Sequence, residues 1–132
     1  MSSFSDYAEN LTLKYLFTTD SVTRPTAWYV GLFTAAPNDA GGGTEVSGSA
    51  YARKVTGTMT VSGTSPTNCT NSAAIEFAAA SGGNWGVITH VAIFDAATSG
   101  NMLGHATLTS SRTISDGDIL RVPAGDLDIT LT

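Results

Sequence analysis

Val87-Ile-Thr-His-Val-Ala-Ile-Phe94, then Ala96-Ala-Thr-Ser-Gly100, then Met102-Leu-Gly-His-Ala-Thr-Leu-Thr109 is the stretch on which the fold turns. The first segment is rich in β-branched and aromatic residues, which suit a pleated, half-buried surface. The middle segment supplies turn chemistry with glycine near its end, and the third runs back. The three together predict a β-hairpin. With the turn centred near Ala97 or Thr98, His90 and His105 fall at or near opposite positions on the two strands.

Working outward from the hairpin, the same pattern repeats. Downstream, Asp116-Gly117 marks a tight turn, Ile119 to Val122 a strand and Pro123-Ala-Gly125 a corner. Leu127, Ile129 and Leu131 then alternate with Asp128 and Thr130 in a closing edge strand. Upstream, Ala27-Trp-Tyr-Val-Gly-Leu-Phe-Thr34 is apolar on both faces. Trp28, Val30 and Leu32 point one way while Tyr29 and Phe33 point the other, as in a central strand buried on two sides. Pro37 to Gly43 is a loop with three successive glycines. Tyr51 to Thr56, Thr58 to Ser62 and Ala73 to Phe77 are further strands, the last following a Ser/Thr/Asn-rich stretch from Gly63 to Ser72.

The opening residues alone carry helical spacing. Phe4, Tyr7, Ala8, Leu11 and Tyr15 form one apolar stripe, with Leu16 at its border, and Ser3 with Asp6 or Asp6 with Glu9 supplies a capping box. Pro25 keeps Arg24 out of helical geometry, so 21–25 is a connector. The expected architecture is all-β: an antiparallel, jelly-roll-like sandwich over 26–132, of about seven to nine strands at roughly eight- to twelve-residue spacing, preceded by one helix over 4–18. Trp28, Val30, Leu32, Phe33, Ile75, Phe77, Val91, Ile93, Leu108, Leu120, Ile129 and Leu131 are the expected core.

Composition narrows what such a domain does. The 132 residues are 42% apolar and only 13% charged, with one cysteine and a net charge of −5. A single domain of this mass exposes roughly 6,600 Å² and buries about two-thirds of its surface, so it needs neither disulfides nor a structural metal. Six scattered bases against eleven acids exclude an electrostatic nucleic-acid binder. The apolar runs are too short to span a membrane, and the first twenty residues are interrupted by charges where a secretory leader is apolar. The sequons at Asn10 and Asn68 are chance matches in a Thr-rich chain.

The chemistry-bearing residues form no site. His90 and His105 lack a third ligand at a recognisable spacing, and read as hydrogen-bonding residues rather than a metal pair. Asp116, Asp118, Asp126 and Asp128 lie at turns, where aspartate bonds its own backbone, and no EF-hand pattern joins them. Cys69 has no nearby histidine and reads as inert. Ser81-Gly-Gly-Asn-Trp-Gly86 precedes a strand, whereas a phosphate cradle precedes a helix. There is no Gly-x-Ser-x-Gly elbow. No catalytic, cofactor or metal residues are expected.

Five segments in order nevertheless carry a resemblance: Ser5-Asp-Tyr-Ala-Glu-Asn-Leu11; Tyr29-Val-Gly-Leu-Phe-Thr34; Gly43-Thr-Glu-Val-Ser-Gly48 with Tyr51-Ala-Arg53; Trp85-Gly-Val-Ile-Thr-His-Val-Ala-Ile-Phe-Asp95; and Gly117-Asp118 with Pro123-Ala-Gly-Asp-Leu127. Nearly end to end, the chain resembles the small virion proteins of tailed bacteriophages usually described as phage tail fibre proteins. The resemblance implies a non-enzymatic structural component of the virion, contacting other virion proteins, and carries no catalytic residues. It leaves two places open, tail fibre and capsid decoration. A carbohydrate-binding module for host surface glycans, with Trp28, Trp85 or Tyr51 as stacking platform, is the further alternative.

The apolar surface of the opening helix exceeds what one sandwich edge covers. Phe4, Tyr7, Leu11, Leu13, Leu16 and Phe17 are therefore candidate interface residues of a symmetric homo-oligomer, with a trimer favoured. Glu45 and Arg53 are candidates too, either bridging to a neighbouring subunit or pairing with each other, the second being the expected arrangement.

Overall fold

The computed structural model describes residues 2–131 and is all-β with one N-terminal helix. Its eleven strands exceed the expected seven to nine, because ladders also form at Ser2–Phe4, at Thr44–Glu45 and within the Ser/Thr/Asn-rich stretch at Thr67–Asn71. The strands are β1 (Ser2–Phe4), β2 (Tyr29–Ala35), β3 (Thr44–Glu45), β4 (Lys54–Val55), β5 (Met59–Ser62) and β6 (Thr67–Asn71), then β7 (Ile75–Glu76), β8 (Gly86–Phe94), β9 (Met102–Ile114), β10 (Arg121–Val122) and β11 (Asp128–Leu131). All pairings are antiparallel. One sheet has the order β1-β9-β8-β2-β3, with β4 also on β2; β11-β6-β5 forms a second and β10-β7 a third.

The helix, α1, runs Asp6–Phe17 rather than over 4–18. Phe4 belongs to β1, whose backbone pairs with Gly104–Ala106 of β9. Gly104 permits this approach, since a Cβ there would lie 2.9 Å from the Ser3 carbonyl oxygen. The cap is Ser5, not Ser3 or Asp6: its hydroxyl accepts from the Ala8 amide at 3.1 Å and donates to the Met102 carbonyl. This satisfies an orphan amide at the helix start and ties it to β9. Asp6 and Glu9 lie in the first turn and Lys14 in the last, each where the helix dipole favours its charge.

β2 is the two-sided strand the sequence indicates. Val30 and Leu32 enter the main core with Ile75, Phe77, Ile88 and Ile93, while Phe33 joins Ala92, Phe94 and Met102 on the opposite face. The main core lies between the large sheet and the two smaller ones, whose Met59, Val122 and Ile129 pack against it. Of the expected core, Trp28, Val91, Leu108 and Ile129 are half-buried. Leu131 is 54% exposed, because it lies at the end of edge strand β11.

The 63–72 stretch is not simply polar connection: Thr67–Asn71 forms the centre of the β11-β6-β5 sheet, placing Cys69 on a strand. The hairpin is present with its turn centred at Thr98, as Phe94 pairs with Met102, and Ile93 is buried. His90 pairs with Thr107 and His105 with Ala92, so the two histidines are diagonal neighbours. A register shift between Ile93 and Phe94 leaves Leu103 as the extra residue on β9 and shortens the turn by one residue.

Candidate functional site

Ala8 alone of the α1 residues is buried. Leu11 is half-buried and Tyr7 is 37% exposed, but beyond them the helix overhangs: Leu13 is 58%, Tyr15 70%, Leu16 61% and Phe17 77% exposed. The candidate residues of the helix therefore separate into two groups. Phe4 and Leu11 lie against the fold, and Leu13, Leu16 and Phe17 make an apolar knob at the helix end.

Beside the helix lies an apolar groove of about 360 Å³. Phe4, Ala8 and Leu11 form one wall, Leu127 and Ile129 belong to the opposite side, and Cys69 and Trp28 also line it. Asp128 is its one acidic lining residue. Asn68 Oδ1, also on the lining, is buried and has no hydrogen-bond partner. The groove could not be read from sequence, because its walls come from opposite ends of the chain.

Glu45 and Arg53 are brought together, and their bonding is internal. Arg53 Nε meets Glu45 Oε1 at 2.8 Å and Nη2 meets Oε2 at 2.9 Å, a bidentate pair. Nη1 donates to the Ala96 and Ser99 carbonyls at 3.1 and 2.8 Å, fastening the hairpin turn to the loop after β3. The Tyr51 hydroxyl donates to Glu45 Oε1 at 2.8 Å and accepts the Leu32 amide at 2.9 Å. Burial, reinforced by the Glu45 carboxylate, raises the Tyr51 phenol well above its ordinary value, so it stays a donor. The spacing of Glu45, Tyr51 and Arg53 carries this node; Gly31 completes it, since a Cβ there would lie 2.8 Å from Glu45 Oε1.

The remaining chemistry-bearing residues are engaged locally. His90 Nδ1 bonds the Thr89 hydroxyl at 2.8 Å, and His105 Nε2 bonds Asp39 Oδ1 at 2.8 Å. Asp116 accepts the Gly82 amide and Asp118 the Ser115 amide. Among the described residues no group of three or more His, Cys, Asp or Glu side chains is placed to hold a metal. Partial burial, and secondarily Asp128, push the Cys69 thiol up, which lowers its thiolate fraction. Trp85 is buried with its indole N–H on the Ser49 carbonyl, and Tyr51 packs against Phe77 and Trp85. Neither ring is an open platform.

Asn71 is a structural residue that sequence reading passes over. Fully enclosed, it donates to the Ala73 and Pro123 carbonyls and accepts from the Gly125 and Leu127 amides, locking the corner before β11.

No curated protein matches the sequence. A family model does, over residues 3–130: podophage GP4 fiber I protein gp80. That span reaches into every element described above, leaving out only Ser2 of β1 and Leu131 of β11, in agreement with the tail-fibre resemblance of the five segments. The chain belongs to the podophage GP4 fiber I protein gp80 family, and is thus a fibre-type structural component of the bacteriophage virion.

Proposed function

We propose that this protein is a non-catalytic fibre subunit that assembles with copies of itself into a closed trimer, with α1 at the contact between copies. The observation that carries this reading is the overhanging helix end, where Leu13, Tyr15, Leu16 and Phe17 hold their side chains in water. Contiguous apolar surface of this kind marks an interaction site. A fibre repeats its contacts many times, so modest single contacts suffice. The absence of enzymatic activity is part of the proposal, supported by the local engagement of both histidines and the turn aspartates.

Sedimentation of the purified chain tests assembly: three-fold mass at micromolar concentration is expected, and a monomer at high micromolar concentration overturns it. Gold labelling of the parent particle tests position, with label on tail fibres expected. Label over the capsid shell would favour decoration instead.

A further inference from the structure

The chain carries two apolar surfaces of opposite shape, the knob at the end of α1 and the groove beside its start. Resting on the fibre-subunit reading, we infer that the groove of one copy receives Leu16 and Phe17 from the helix end of the next. Phe17 cannot fill the groove of its own chain. Ala8 faces the groove, and Phe17, nine residues on at 100° per residue, lies about 180° around the helix from it.

Area and charge both point to a second copy as the occupant. The chain exposes 7582 Å², roughly 1,000 Å² more than a compact folded protein of its mass presents. A stable interface removes about 800 Å² from each partner, so the surplus is of the size that one such contact covers. Lys14 is the only cation of α1 and lies within the knob, between Leu13 and Leu16 in the chain, and the groove contributes Asp128 as its only acidic residue. Both are exposed, and neither takes part in the three ion pairs found among the described residues. Docking the knob brings the two charges together at the rim. A contact between two different surfaces is head-to-tail: it gives a ring where the rotation between copies closes, the trimer being the smallest common one, and an open filament where it does not.

Cys69 on the groove lining supplies the test, because it is the only cysteine of the chain. The Phe17→Cys variant, altered at an exposed position, is oxidised under mildly alkaline conditions and the linked peptides are identified by mass spectrometry. A disulfide between chains joining the introduced thiol to Cys69, lost when Cys69→Ala is added, is expected. Links between two introduced thiols alone, or an oligomer with no link, overturn the groove while leaving the oligomer standing; a monomer in sedimentation overturns both. Charge exchange gives an independent readout without cysteine. Lys14→Asp and Asp128→Lys should each weaken association about tenfold, and the double exchange should restore it. Additive losses in the double variant would refute the pairing.

Discussion

Arg53 lies over the ring of Phe94, its guanidinium carbon 3.4 Å from the ring centroid, while the same group grips Glu45 and two carbonyls of the hairpin turn. One side chain thus joins β2's neighbour β3, the hairpin turn and the smaller apolar cluster. A planar fork is needed for this, and lysine has none.

Arg53→Lys should therefore destabilise by about 1–3 kcal/mol and Arg53→Ala by about 2–4 kcal/mol, read from urea unfolding midpoints. A loss below about 0.5 kcal/mol for the alanine variant would mean that the pair behaves as an ordinary surface ion pair.

Gly31 and Glu45 should be energetically coupled. Gly31→Ala places a methyl 2.8 Å from Glu45 Oε1 and 3.0 Å from Phe94 Cε2. Its expected cost is about 1–3 kcal/mol. In a Glu45→Ala background the cost should shrink, and a double-mutant cycle with zero coupling would contradict the geometry.

Tyr51 sets an alkaline limit. Its folded pKa is raised above the ordinary 10.0, so the folded state keeps a proton that the unfolded chain releases. The associated stability is fully present below pH 10 and declines as pH climbs above it, toward the folded value. Tyr51→Phe should lower stability at neutral pH, by removing two hydrogen bonds, yet flatten the decline above pH 10. An unchanged alkaline slope would assign it to other groups.

Asn71→Ala should cost about 1–3 kcal/mol, because it strands the buried Leu127 amide and removes the partner of the Ala73 carbonyl, while the Gly125 amide keeps the Asn71 carbonyl and the Pro123 carbonyl keeps the Asp126 amide. Hydrogen exchange at Leu127 should accelerate in parallel; protection equal to the parent chain would show that other bonds hold the corner.

Treatment with a chelator should leave the melting temperature unchanged, and His90→Gln should shift stability by less than about 2 kcal/mol, the range of a lost hydrogen bond. A fall of roughly ten degrees on chelation would reveal a structural metal.

Periodicity is the part of the fold legible in the sequence. Alternation locates β2, β8 and β9, and Ile93 is buried as the hairpin requires. Polarity misleads at Thr67–Asn71, where Thr, Asn and Cys make a central strand because neighbours on both sides satisfy its backbone. The helix start differs from its expected place for a related reason. Phe4 fits the helical stripe, but β9 offers its backbone a ladder that no local pattern reveals. The Glu45–Arg53 pairing follows from proximity in the chain, while the bonds to Ala96 and Ser99 depend on a turn more than forty residues away.

The separation of Ser5 and Met102, 97 residues apart yet hydrogen-bonded, has a consequence for biosynthesis. At roughly 5–20 residues per second, the first strand leaves the ribosome some 5–20 s before its partner exists. The groove needs still more of the chain, since Leu127 and Ile129 complete it. A nascent chain that stops short of Ile129 thus displays the helix end without a complete groove, which only a polypeptide extending past that point offers.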